Sequence, residues 1–207
     1  MVHLGTVTAR FSPMKLSSLL SQLKTGDEKI RGDSRIDLFS VTLDAEEIRN
    51  AVFESAIFDR VTFAELALIN CDLTASHFFA CTFVRCRFID STFHKSEFHN
   101  SKAELIKFAN CSFTKTEWYG GDFRHAVVAE CDFSWSYLQS VDFRYAEFKD
   151  VNLAGALWHK TKVYKSRFDS INFGSRHPAR VLETDITELA DGTSEVSLEQ
   201  FRHLFGL

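Results

Sequence analysis

The chain is 207 residues long, 45% apolar and 14% aromatic, a composition that builds a core and does not fit a disordered polymer. A formal net charge of −4 and a pI near 6.1 leave no basic stripe for direct nucleic-acid binding. No run of 18 apolar residues offers a membrane span, and the opening MVHLGTVTARFSPMK shows no basic block followed by an apolar one, so the expected location is the cytoplasm.

Residues 1–35 form the first predicted unit. A short strand is expected over 2–11. A helix follows, with Ser12 as cap, Pro13 in its first turn, Leu16, Leu19, Leu20 and Leu23 along one side, and Gly26 as its stop. Six basic and three acidic side chains make this segment net positive. It reads as an N-terminal helical cap, because an uncovered solenoid end exposes core and strand edges.

Residues 36–175 carry a five-residue beat. From Leu38 to Phe173, 27 of 28 positions spaced by five hold a large apolar side chain, sixteen of them Phe. The ladder includes Phe53, Phe58, Phe63, Phe83, Phe88, Phe93, Phe113, Phe123, Phe133, Phe143, Phe148 and Phe168. Ala103 alone breaks it, and a local irregularity is expected there, with Leu105 or Ile106 leaning in to fill the gap. Two residues before each member lies a small or aliphatic one, as in Ala56, Cys71, Ser76 and Val141, with Glu46 the one large polar member. Period five fits neither an amphipathic helix nor a flat strand. Two inward residues per five suit a narrow tube that turns a corner every five residues.

Units such as Cys131-Asp132-Phe133-Ser134-Trp135 and Val151-Asn152-Leu153-Ala154-Gly155 resemble the A(D/N)LXX consensus of pentapeptide-repeat proteins. The resemblance covers residues 36–175. It implies an all-β solenoid, a right-handed quadrilateral β-helix with four pentads per coil. Seven coils at about 4.8 Å each then make a rod roughly 34 Å long. The chain departs from the consensus in its wealth of Phe and in Ser, Thr and Cys at the small position.

With residues 20 apart stacked, the outer wall can be read. Phe39, Phe79 and Tyr119 fall in one outward column, with Tyr137 beside it and Trp135 and Tyr145 on later coils. Glu97 stacks on Glu117 and Asp122 on Asp142, pairs that repel unless neutralised; Arg124 and Arg144 stand two residues after the aspartates. These ten residues form the candidate interaction surface, with shielding by neighbours as the plainer account of the aromatic column. Cys71, Cys81, Cys86, Cys111 and Cys131 all fall in the small inward series and read as buried thiols. The outward histidines His77, His94, His99, His125 and His159 show no ligand spacing, and no Gly-rich phosphate loop is present. No metal, cofactor or catalytic residue is expected, and the chain reads as a non-enzyme.

Residues 176–207 leave the beat at Pro178. A turn is expected at Asp191-Gly192, then a short helix opened by Ser197 and Gln200, with Leu198, Phe201, Leu204 and Phe205 as its stripe. The helix is a C-terminal cap or a homodimer contact. Its ending, Leu204-Phe205-Gly206-Leu207, resembles that of quinolone-resistance (Qnr-type) pentapeptide proteins, in which such a helix joins two rods tail to tail. That likeness implies DNA gyrase or topoisomerase as partner, through mimicry of duplex DNA. Residues 36–175 carry 19 acidic and 15 basic side chains, whereas about 34 Å of duplex carries roughly 20 negative charges. The alternative is a general scaffold, or a bacterial effector, that recognises some other protein.

Overall fold

In the computed structural model the described residues are 8–9, 37–40, 42–44 and 47–182. They wind as a parallel β-solenoid of about seven coils with a repeat of 20 residues: the beat predicts the solenoid, and the family resemblance its four pentads per coil. Among the described residues no helix occurs. The expected N-terminal helix, and Leu198, Phe201, Leu204 and Phe205 of the expected C-terminal one, lie outside them.

The coil has four faces. Face 1 is a nine-stranded parallel sheet that runs from Thr8–Ala9 and Asp37–Phe39 through Leu157–His159 to Arg180–Leu182. Face 2 holds four strands, Thr42–Asp44, Thr62–Ala64, Thr82–Val84 and Lys102–Glu104, and continues as single bridges at Asp122, Asp142 and Lys162. Face 3 has seven strands from Glu47–Arg49 to Arg167–Asp169. Face 4 is joined by single bridges alone, from Val52 to Asn172.

Corners explain the period. Every fifth described residue, from Ser40 to Ser170, sits at positive φ, near +50° to +60° for the non-glycine ones. A strand of three residues followed by one left-handed residue turns the chain toward the next face. The corner amide then donates to the next coil, as in Ser40 N–H to Asp59 O at 2.8 Å and Asn70 N–H to Ile89 O at 2.9 Å. These bonds help offset the conformational cost of a left-handed residue that bears a β-carbon.

Packing inside the tube is ring on ring. Phe58, Phe78, Phe98 and Trp118 stack down face 1 at 4.9, 4.5 and 4.1 Å. Phe93, Phe113 and Phe133 do so under face 4, at 4.7 and 4.5 Å. Rings on adjacent faces meet edge-on, as in Phe58 and Phe63 at 61°. Rung spacing enforces the stacks, and edge-to-face contact closes the axis.

The small position has its own chemistry. Ser76 Oγ donates to Phe53 O at 2.8 Å, Ser96 Oγ to Leu73 O at 2.7 Å and Ser166 Oγ to Phe143 O at 2.7 Å. Cys81 Sγ reaches Phe58 O at 3.2 Å. A short donor there meets a carbonyl of the coil above, or of its own coil as Thr116 and Ser136 do with Phe113 O and Phe133 O, so these Ser, Thr and Cys side chains are buried with a partner.

Ala103 marks a change in the wall. It lies in the last regular strand of face 2, and Gly120 and Gly121, at φ +66° and +116°, lead into the first bridged turn below it. A β-carbon on Gly121 would lie 2.7 Å from Ser101 O. Leu105 does not lean inward; it is 56% exposed. Its left-handed corner geometry (φ +55°) aims the side chain out of the tube. Ile106 is buried at its own place in the small series.

Sheet pairing on face 1 passes the boundary expected at residue 175. Leu157 pairs with Arg180 and Trp158 with Val181, an offset of 23 residues instead of 20. The extra residues loop out at 174–179, pinned by Gly155 N–H to His177 O at 2.7 Å and Ala179 N–H to Phe173 O at 2.8 Å. Ala179 and Val181 are buried as a small and a bulky plug, so the inward pattern survives the insertion.

Candidate interaction surface

The ladder residues Phe53, Phe58, Phe63, Phe83, Phe88, Phe93, Phe113, Phe123, Phe133, Phe143, Phe148 and Phe168 all lie inside the tube, none more than 3% exposed. With the axis filled, the accessible chemistry is on the outer wall.

On face 1 the wall carries a column of rings. Phe79 stacks on His99 at 4.9 Å and His99 on Tyr119 at 5.0 Å. His77 flanks Phe79 with a parallel ring at 5.9 Å, and Tyr137 meets Tyr119 edge-on at 5.8 Å. The order follows from register: Phe79, His99 and Tyr119 are direct partners in neighbouring strands. Stacking in register covers the ring faces and presents their edges to solvent as a rigid, half-buried ridge.

Carboxylates are knitted into the ridge. Glu97 Oε2 lies 2.9 Å from His99 Nε2 and 3.4 Å from His77 Nδ1. The His99 hydrogen bond, aided by His77, holds the Glu97 carboxyl below the usual carboxylate range. The Tyr119 hydroxyl donates to Glu117, which pushes the phenol pKa up to about 12. Tyr137 donates to Gln139 Oε1 at 2.9 Å. The stacked pair Glu97 and Glu117 is thus separated by distinct partners, which lowers its mutual repulsion.

Of the ten candidate residues, six share face 1: Phe39, Phe79, Glu97, Glu117, Tyr119 and Tyr137. Trp135 stands on the corner between faces 4 and 1, packed on His177 at 4.9 Å and 51% exposed. Its ring lies flat against Gly155, where a β-carbon would come within 2.8 Å. Asp122 and Asp142 sit on face 2, clamped by Arg124 and Arg144 at 2.7 and 2.6 Å. Tyr145 occupies the corner between faces 2 and 3. The ten are therefore not one patch. His77 and His99 belong to the ridge, although their sequence pattern marks them only as outward histidines; their 20-residue spacing from Glu97, Phe79 and Tyr119 is the signal that could have placed them there.

A shallow recess of about 290 Å³ lies where faces 3 and 4 meet, lined by Asn70, Asp72, Asp90, Thr92 and Asn110. Its amides are used within the wall, Asn70 to Asn50 at 2.7 Å and Asn110 to Asp90 at 2.8 Å. Among the described residues no group of three or more His, Cys, Asp or Glu could hold a metal ion.

A filled four-sided solenoid with its accessible chemistry on the wall defines the class: a repeat protein built from five-residue units. Residues 56–133 match the family description "Pentapeptide repeat region" and residues 122–155 match "Pentapeptide repeats (8 copies)". Residues 56–155 are thus a pentapeptide-repeat region. Similar solved structures include a trypsin-treated, singly substituted form of QnrB1, a plasmid-mediated fluoroquinolone resistance protein, at 15% identity, covering 75% of this chain and 84% of that one with a TM-score of 0.43. Another is HetL, a pentapeptide-repeat protein involved in heterocyst differentiation regulation in the cyanobacterium Nostoc, at 10% identity, covering 86% and 92% with a TM-score of 0.40. None of the curated proteins matches the chain.

Proposed function

We propose that this protein is a non-catalytic cytoplasmic rod that binds a protein partner through face 1. The observation that carries this reading is the continuous ring ridge of Phe79, His99, Tyr119 and Tyr137, which stands outside a core already complete without it. Rigid rings flanked by polar groups supply contact area at low entropic cost, as binding anchors do. Carboxylates at Asp59, Glu97 and Glu117 give the face its polar rim.

The finer reading is protection of DNA gyrase by duplex mimicry, with two rods joined through the C-terminal segment. Charge placement works against it. Among the described residues, with each corner assigned to the face before it, face 1 holds four acidic and three basic residues, face 2 five and six, face 3 six and five, and face 4 three and two. No face approaches the density of a phosphate backbone, about one charge per 1.7 Å.

The test is partner capture by cross-linking with the wild type, the Phe79→Ser/Tyr119→Ser variant and an Arg124→Ala control. A partner held by wild type and control, and lost by the face 1 variant, is the expected result; equal capture by all three removes the reading. Purified gyrase assayed for supercoiling, with and without a fluoroquinolone, decides the finer one: unchanged activity at micromolar rod ends it and leaves the scaffold intact.

A further inference from the structure

We propose that the corner between faces 2 and 3 is a second docking edge, built to hold an acidic protein segment that carries apolar side chains. The inference goes beyond the face 1 reading and does not depend on it.

The corner column runs Glu65, Arg85, Leu105, His125, Tyr145 and Lys165, all at positive φ. A left-handed residue bearing a β-carbon is held at a conformational cost, least for Asn and Gly and larger for bulky side chains. Burial normally compensates a large apolar residue in such a place. Here it does not: Leu105 is 56% exposed and Tyr145 43%. Both residues bear the corner's strain and contribute no core.

From His125 to Lys165 the side chains form a spine in contact. His125 stacks flat on Tyr145 at 5.1 Å, and Tyr164 meets Tyr145 edge-on at 5.9 Å. Lys165 Nζ sits 5.2 Å from the Tyr164 ring centre. Leu105 lies one rung from His125, so the spine is about 14 Å long at the usual strand spacing. That length matches about four residues of extended chain.

Charge selects the occupant. The outward columns of face 2, the corner itself and the first column of face 3, from Lys102 to Arg167, hold seven cationic side chains and four anionic ones. Three of the four carboxylates are held by arginines of the same surface, Asp122 by Arg124, Asp142 by Arg144 and Glu147 by Arg167 at 3.9 Å; the fourth is Glu104, beside Leu105. The surplus is positive in a chain of net charge −4. His125 lies flat on one face of the Tyr145 ring and Tyr164 meets the ring edge-on, so a nucleobase finds less ring face to stack on than a bare tyrosine offers. Carboxylates facing Lys102, Lys107 and Lys162, with Leu or Phe seated on Leu105 and beside Tyr145, complement the edge.

The test uses a fluorescein-labelled peptide of repeated Glu-Leu-Glu-Phe units, with a Glu-Ser peptide and a short duplex DNA as controls, on the full chain. The Glu-Leu-Glu-Phe peptide is expected to bind about tenfold more tightly than either control, and Leu105→Asn or Tyr145→Asn to lose about that factor. Neither variant lowers the melting temperature, since Asn is at ease in the left-handed region. Phe79→Ser leaves the affinity unchanged, which keeps this result separate from any failure at face 1. The proposal falls if the controls bind equally well, if the peptide does not bind, or if the Asn variants melt early. It also falls if light scattering finds a dimer that Leu105→Asn splits, since the occupant is then a second copy.

Discussion

Phe133→Ala is the sharpest probe of a tube filled by its own ladder. The Phe133 ring is 1% exposed, stacks on Phe113 at 4.5 Å and lies 6.2 Å from Trp118. Truncation of a fully buried Phe costs about 3–5 kcal/mol, of which the lost stack accounts for about 0.5–1.5. A rung cannot collapse to fill the gap, because hydrogen bonds to the coils above and below fix its spacing, such as Asp132 N–H to Cys111 O and Phe133 N–H to Asn152 O. The upper part of the range is therefore expected. Against a domain stability of about 5–15 kcal/mol the loss is severe, and the melting point should fall by about 8–15 °C. Circular dichroism melts and urea titration of wild type, Phe133→Ala and Phe133→Leu measure it, with the Leu variant losing under about 1.5 kcal/mol. A drop of less than about 2 °C in the Ala variant means the Phe ladder is not what holds the coils, and the argument fails with it.

Gly121→Ala should destabilise strongly, since φ is +116° and the new methyl meets Ser101 O at 2.7 Å; a thermal melt reads it. Ala80→Gly, at a corner with φ +49°, should gain up to about 1 kcal/mol, the relief of about 1–2 kcal/mol of left-handed strain less about 0.4–1 of added unfolded-state entropy, and a lower midpoint in urea contradicts the account of the corners. Burial pushes the thiols of Cys71 and Cys86 up and that of Cys81 up to about 12, so native protein at pH 8 should leave these three unreactive to a thiol reagent and release them in denaturant. The Glu97 carboxyl is held low in the folded state, so its contribution is present above the ordinary carboxylate pKa and fades as pH falls through the lowered value. Glu97→Gln should thus flatten the acid side of the stability curve slightly, by under about 1 kcal/mol for so exposed a group, and leave the shape of the curve at neutral and basic pH unchanged.

Much of the core was written along the chain. Period five, with one bulky and one small inward residue, identifies the tube, because each corner consumes one left-handed residue and each face presents one plug. Phe53 and Phe168 could be placed inside without coordinates. Three features were not legible. The offset of 23 residues before Val181 breaks the count, so strand pairing across 174–179 depends on backbone contacts between distant residues. The switch of face 2 from strands to bridged turns follows from how closely the chain at Gly121 approaches Ser101. The small position reads along the chain as a mere size limit, whereas in the tube its serine hydroxyls reach carbonyls one coil above.

Outer-wall grouping belongs to the tertiary structure. Ten outward residues were legible as one candidate set, yet six stand on face 1, two on face 2 and two on separate corners. Local spacing determines whether a side chain points in or out, since that depends on the residue's own place in the pentad. Which outward side chains meet depends on residues 20 apart and on the partners each one takes, such as His99 for Glu97 or Arg144 for Asp142. Inward burial is repeated at every pentad but that of Ala103 and leaves a periodic trace in the chain, whereas a surface is assembled once, from several coils, and leaves none.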